Sequence, residues 1–340
     1  MLSYCGRIKK KLLMRKIFVT PMVVCLFVLL HACEDEWFIE PIENNLVLKY
    51  NLSDYDLYQI PLAELTPDTN AFVYELNTAL FTDYASKQRI IKLPKGQKLD
   101  VRNKSAIDFP DGTIIAKTFF YPENQQPNNQ TRKILETRLL ILEKGQWNVG
   151  VYKWNDSQTE AYLIENGAEV RMEQILPNGK AERFTYVIPS NSDCTTCHNK
   201  NSKVNPIGPK VSNLNVPHWE GSNNSQIQSW INKGYLNGSS LDELPKLPQW
   251  DNPNHLLSPR ARAYLDVNCA HCHNPAGVAS EWSLDLRYST PYNQTGIQPL
   301  RYHIPERMES DWEDEVMPKI GTTLKHEEGI ELIKAYINQL

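Results

Sequence analysis

The chain has 340 residues, 41% of them hydrophobic and 22% charged, and a formal charge of −4. That is length for about two ordinary globular domains, each able to bury a core. Acidic residues outnumber basic ones by 40 to 36, which argues against a nucleic-acid partner and favours a neutral or basic protein, since charge complementarity mainly sets encounter rates.

The first 32 residues differ from the rest. Arg7, Lys9, Lys10, Lys11, Arg15 and Lys16 precede an unbroken apolar stretch over residues 22–30, a charged segment and then a hydrophobic one of signal-peptide length, too short for a comfortable membrane span. The stretch ends in Leu30-His31-Ala32-Cys33, which resembles the lipobox of bacterial lipoproteins and implies cleavage before Cys33 and lipidation of its sulfur and amino group. An ordinary secretory signal followed by an incidental cysteine is the alternative. Losing residues 1–32 removes six basic and no acidic side chains, leaving 30 against 40 and a charge of −10. Residues 33–45, with Glu34, Asp35 and Glu36, read as a tether. The expected address is the cell envelope, membrane-anchored and facing the periplasm or the cell surface.

Residues 46–200 read mainly as strands. Residues 71–87 carry Phe72, Leu76, Leu80 and Tyr84 at helical spacing, and an extended run over 89–93 is closed by Pro94-Lys95-Gly96. Strands are expected at 113–121, 134–142, 147–154 and 182–188, all rich in β-branched and aromatic residues. Pro110-Asp111-Gly112, Glu143-Lys144-Gly145 and Pro177-Asn178-Gly179 separate them as turn formers. The last strand leads directly into Cys194-Thr195-Thr196-Cys197-His198.

Residues 201–257 read as a linker with short helices. In residues 258–340 a helix is expected over 259–269, with Ser258 as N-cap and Pro259 in the first turn, leading into Cys269-Ala270-His271-Cys272-His273. A second helix over 326–340 places Ile330, Ile333, Ile337 and Leu340 on one face, and Met317-Pro318 stands just before it. The fold class is therefore α+β: an N-terminal antiparallel β-rich domain followed by a mostly α-helical domain.

Seven cysteines sort cleanly. Cys5 and Cys25 leave with the signal, Cys33 is the anchor, and the other four form two Cys-x-x-Cys pairs, each followed at once by histidine. That spacing marks attachment of haem c: two thiols one helical turn apart add across the vinyl groups of one porphyrin, and the next residue brings an imidazole to the iron. With eight histidines in 340 residues, a following His arises by chance about one time in forty, so two together are a specific signal. A four-cysteine zinc site normally brings its second pair within about twenty residues, whereas Cys269 lies 75 positions after Cys194. Two short disulfides leave both histidines unexplained, and neither motif has the βαβ context of thioredoxin-type chemistry.

The expected attachments are thus Cys194 and Cys197 for haem 1 and Cys269 and Cys272 for haem 2, with His198 and His273 as axial iron ligands. Met317 is the expected sixth ligand of haem 2, because a thioether opposite an imidazole fills the coordination sphere and raises the potential. Met308 competes for that place, while His271 is held by its own motif. For haem 1, His218, His255 and Met172 are the candidates, and a five-coordinate iron open to a small ligand is the alternative.

Several stretches resemble a family of bacterial dihaem c-type cytochromes over nearly the whole mature chain. They are residues 74–85, Phe109-Pro110-Asp111-Gly112-Thr113 with Ala116-Lys117-Thr118-Phe119, Glu136-Thr137-Arg138-Leu139, residues 261–273, and Met317-Pro318-Lys319-Ile320-Gly321 with His326-Glu327-Glu328-Gly329. The resemblance implies two covalent haems and a redox role, and supplies no substrate; residues 286–307 are shorter than that family's usual Gly-rich loop. The β-rich domain is also similar, at fold level, to the β-sheet cytochromes c-prime and their hydroxylamine-oxidising relatives, some of which cross-link a lysine to haem. A surface lysine is the expectation at Lys117, and the counterpart of that cross-linked lysine is the alternative the resemblance raises. Three functions arise as expectations: an electron carrier serving an unknown redox partner, a peroxidase-like catalyst at haem 1, or a gas sensor.

Overall fold

The computed structural model describes residues 46–122, 132–238 and 243–340, all within one compact unit, Pro41–Leu340. The anchor cysteine, Cys33, lies outside the described residues. No helix among those described is long and apolar enough to cross a membrane.

Twelve strands are described: β1 Ala71–Val73, β2 Ser86–Lys92, β3 Asp100–Arg102, β4 Ala106–Asp108, β5 Ile114–Pro122, β6 Arg132–Glu143, β7 Gln146–Trp154, β8 Ala161–Ile164, β9 Ala168–Ile175, β10 Ala181–Ile188, β11 Asn199–Lys200 and β12 Lys203–Val204. Six form an antiparallel sheet in the order β1-β2-β5-β6-β7-β8. Its central strands are buried on both faces, as their near-continuous apolar sequences require. Alternating side chains divide between two layers. Ile90, Ala116, Leu139, Tyr152 and Trp154 pack under the N-terminal segment with Leu52, Tyr55 and Leu57. On the opposite face, Phe119, Val149 and Val151 join Tyr186 and Cys194, and Ile91 and Ile115 join Val211, Leu214 and Trp230. The first layer also buries a hydroxyl chain, Tyr58 to Thr118 at 2.7 Å and Thr118 to Thr137 at 2.8 Å, with the Trp154 indole N–H donating to Thr137 at 3.0 Å. These bonds satisfy hydroxyls that would otherwise cost about 1–3 kcal/mol each.

Seven α-helices are described: α1 Asn191–Cys197, α2 Val211–Leu214, α3 Gln226–Asn232, α4 Leu257–Asn268, α5 Ile297–Leu300, α6 His303–Glu309 and α7 Glu327–Ile337. α4 and α7 share a core of Tyr264, Leu265, Ile330, Ile333, Tyr336 and Ile337. Ile330, Ile333 and Ile337 are buried as expected, whereas Leu340 is exposed because α7 ends at Ile337. Ser258 is not the N-cap of α4. The helix starts at Leu257, capped by Leu256 without a side-chain bond, and Pro259 falls in the first turn, where its missing N–H costs nothing.

The helix expected over 71–87 does not form. β1 and the start of β2 occupy its ends, and residues between them spend their polar side chains on distant partners, a competition with helix in which Asn, Asp and Thr excel. The Asn77 amide donates to the Asn215 carbonyl at 3.0 Å and the Thr78 hydroxyl to the Pro248 carbonyl at 2.7 Å. The Phe81 N–H donates to the Asn268 side chain at 2.8 Å, and the Asp83 carboxylate accepts from the Thr323 and Leu324 N–H groups, each at 2.8 Å. The apolar residues at helical spacing are claimed by tertiary contacts too: Phe72 stacks on Tyr235 at 4.2 Å and Leu80 packs with Leu247, Ala263 and Val267. Residues 74–85 thus form a brace from the sheet to the C-terminal region.

Candidate functional site

The hairpin β9–β10 leads through Pro189 into α1, which carries the first motif. Ser190 opens α1 with a reciprocal cap: its hydroxyl accepts from the Asp193 N–H at 3.1 Å, and the Asp193 carboxylate accepts from the Ser190 N–H at 2.9 Å. Cys194 and Cys197, three residues apart, lie on one face of that helix. His198 closes it, its N–H donating to the Cys194 carbonyl at 2.9 Å.

The imidazole of His198 is fixed by the hairpin on its C-terminal side. The two-residue strands β11 and β12 turn the chain back so that Asn205 N–H donates to the His198 carbonyl at 2.8 Å, while His198 Nδ1 lies 2.9 Å from the Asn205 carbonyl. A carbonyl only accepts, so Nδ1 carries the proton and Nε2 keeps its lone pair. A metal-ligating histidine is held in the same way, with one ring N–H spent on a backbone carbonyl and the other nitrogen left for the metal. Burial holds the ring neutral, bringing its pKa down to about 4 against the Asn205 carbonyl, and His271, Lys117 and Arg138 also oppose a positive charge there.

The second motif comes directly after α4. Cys269 ends the helix, and the His273 N–H donates to the Cys269 carbonyl at 3.0 Å. Gly277 packs so closely that a Cβ at that position would meet the Cys272 carbonyl oxygen at 2.3 Å. The Nδ1 atoms of His271 and His273 are both buried without a hydrogen-bond partner, two orphans that call for an explanation.

Although 75 residues separate them, the motifs meet. The Cys197 and Cys272 sulfurs and a ring nitrogen of His271 lie within 4.8 Å of one another, and the Asn201 N–H donates to the Ala276 carbonyl at 3.4 Å beside them. A hydrogen bond from the Cys197 thiol to the Cys272 sulfur raises the pKa of Cys197 and lowers that of Cys272. Burial pushes the Cys194 and Cys269 thiols up to about 12. All four described cysteines are free thiols. Their partners divide: Cys194 belongs to the buried cluster on the sheet and Cys269 packs against the α4–α7 core.

The residues suit two thioether-attached haems. Each motif offers two thiols and an imidazole, and at His198 the bond to the Asn205 carbonyl leaves Nε2 for iron. The contact of Cys197, His271 and Cys272 supplies three donors, one short of the four-ligand set of a structural zinc site.

Met317 lines a cavity of about 270 Å³ together with Met308, Tyr264, Asn268, His326 and Ile330. Both candidate thioethers reach it, and Asn268 immediately precedes Cys269. Met317 thus meets the end of α4 at Asn268, and His273 is not among the residues that line the cavity. His326, a residue that sequence reasoning passed over as a site candidate, stacks on Phe81 at 4.1 Å, and its Nδ1 lies 2.9 Å from the Tyr264 hydroxyl. Burial lowers its pKa to about 4. Its place nine residues after Met317 was the available signal.

Of the candidates opposite His198, His218 is exposed and His255 is half-buried. Met172 is buried in the same cluster as Cys194. Lys117 is not a solvated surface lysine. Strand register sets Arg89, Lys117 and Arg138 side by side across β2, β5 and β6, on the face that carries Cys194. The ammonium of Lys117 lies 4.8 Å from the centroid of the Phe119 ring and the guanidinium of Arg138 lies 4.4 Å from it. Burial, reinforced by Arg89, Lys87 and Arg138, holds the Lys117 amine well below its ordinary pKa. Arg138 is compensated by fully buried Glu136 through two bonds of 2.6 and 2.8 Å, and Glu136 also accepts the Tyr186 hydroxyl at 2.7 Å. Charged residues at alternate positions of otherwise apolar strands were the signal for this cluster.

Comparison with protein-family models, curated proteins and solved structures finds no match to this chain.

Proposed function

We propose that the chain is a dihaem c-type cytochrome of the cell envelope, an α+β protein whose β-rich part precedes a cytochrome c-like part, lipid-anchored through Cys33 and serving an unknown redox protein partner. The observation that carries this reading is the pair of Cys-x-x-Cys-His motifs. Support comes from the orientation of His198, from four thiols free for attachment, and from the two methionines at the cavity beyond α4.

Cys194 and Cys197 would hold haem 1 and Cys269 and Cys272 haem 2; bound there, the iron gives and takes single electrons. His198, neutral and with Nδ1 committed to the Asn205 carbonyl, offers a lone pair to one iron, and His273 offers one to the other. Met317, or Met308 from the same cavity, offers a thioether for haem 2. The apolar clusters around Cys194 and Cys269 exclude water and so reduce the reorganisation that accompanies a change of charge.

The test is production of the full chain alongside a cytochrome c maturation system, followed by intact mass and a pyridine haemochrome count. Two haems per chain are expected, one after Cys194→Ala/Cys197→Ala and one after Cys269→Ala/Cys272→Ala. A chain that leaves maturation with no haem, or with zinc bound at the cysteines, overturns the reading.

A second reading makes haem 1 a small-ligand or peroxidase-like site, and the observation favouring it is the Lys117–Arg138 cluster beside His198. Carbon monoxide added to the reduced protein would then perturb haem 1 and leave haem 2 unchanged. An unchanged spectrum at both haems removes that reading.

A further inference from the structure

Resting on the dihaem reading, we propose that Cys197, His271 and Cys272 bring the two attachment sites together, with His271 as the positioning residue between the sulfurs, so that haems held there would exchange electrons directly within the chain. The motifs meet at their second cysteines and part at their first. The sulfurs of Cys197 and Cys272 are within 4.8 Å of each other and of a His271 ring nitrogen. Cys194 is instead committed to the sheet cluster with Tyr186 and Val151, and Cys269 packs against the α4–α7 core. A thioether joins its sulfur to the rim of a porphyrin by one C–S bond, so groups attached at Cys197 and Cys272 would start from sulfurs within 4.8 Å of each other.

Two further observations support a built contact rather than a chance approach. The Asn201 N–H reaches the Ala276 carbonyl at 3.4 Å, which ties together the loops on the C-terminal side of the two motifs. The His271 Nδ1 is buried and unpartnered, a cost that a side chain wedged between two large groups bears in return for its position.

The electron balance is simple. With haem bound at both motifs, the exchange would move one electron from a ferrous to a ferric iron, with no proton or atom transferred. Placing charge on one ring raises the cost of placing it on its neighbour in a low-dielectric setting, so the pair titrates in two steps that belong to the pair and not to either haem alone.

The experiment uses the full-length protein shown by mass to carry two haems, which separates failure of this proposal from failure of the dihaem reading. Circular dichroism in the Soret region should give a two-signed exciton couplet from the neighbouring rings. The couplet should vanish in Cys194→Ala/Cys197→Ala and in Cys269→Ala/Cys272→Ala, either of which suffices if the other does not fold. His271→Ala, with haem count unchanged, should alter the amplitude or sign of the couplet, a change that a purely structural role would not produce. A single-signed wild-type band, or one equal to the sum of the two single-haem spectra, overturns the proposal.

Discussion

Glu136 offers a sharp test of how the sheet supports the first motif. Its carboxylate is fully buried, holds Arg138 through two bonds of 2.6 and 2.8 Å and accepts the Tyr186 hydroxyl at 2.7 Å. Glu136→Gln keeps the shape and removes the charge, leaving Arg138 uncompensated beside Lys117, Lys87 and Arg89. Breaking a buried pair in this way costs about 3–5 kcal/mol, a large share of the roughly 5–15 kcal/mol by which a protein is stable. At about 2 °C per kcal/mol for a chain of this size, the melting temperature should fall by about 6–10 °C. Glu136→Gln/Arg138→Met should recover most of the loss, since an apolar replacement of similar volume removes the stranded charge together with its partner. Urea unfolding at pH 7, monitored by tryptophan fluorescence, measures both. A Glu136→Gln variant within about 0.5 kcal/mol of wild type would refute the argument that this pair is an obligatory neutralisation of the cationic row.

On the dihaem reading, Met317→Leu should abolish the charge-transfer band of methionine-ligated ferric haem and lower the potential of haem 2, while Met308→Leu should leave both in place; the opposite pattern assigns the ligand to Met308. Gly277→Ala forces a Cβ to within 2.3 Å of the Cys272 carbonyl oxygen and should lower attachment at the second motif, read as a haem count falling from two towards one. His326 is held neutral by burial, with a folded pKa of about 4 against 6.5 unfolded. The unfolded chain therefore binds the extra proton first: stability is complete above about pH 6.5, is lost as the pH falls towards 4, and the loss approaches about 3 kcal/mol at its limit. His326→Gln should flatten that slope in urea midpoints taken between pH 7 and 4.5, and an unchanged slope would contradict the assignment.

Four long strands were legible because residues of apolar and aromatic character run between unmistakable turns, and β5, β6, β7 and β10 lie within one or two residues of where the pattern puts them; β9, as long as β10, was missed, its sequence being broken by Glu169, Arg171 and Glu173. The short pairs β3–β4 and β11–β12 were not, since two or three residues carry no measurable period. The 71–87 segment misled for a physical reason. Helical spacing of Phe72, Leu76, Leu80 and Tyr84 describes one apolar face, but Asn77, Thr78 and Asp83 bind partners that lie far along the chain. At the site, the cysteines, His198 and His273 could be named from spacing alone. The contact between Cys197 and Cys272 could not, because it depends on how the brace and the loops after each motif settle in three dimensions. His326 was hidden within an amphipathic pattern that explained its neighbours without needing it.

The brace of residues 74–85 has a consequence for the order of events during biogenesis. Its hydrogen bonds span sequence separations of 138, 170, 187 and 240 residues, and contacts that close such long loops form late in folding. Until they form, the sheet can assemble while α4 and the C-terminal segment stay loose, so that thiols destined for burial remain reachable from solvent. Closure of the brace would then act as the last fastening of the fold.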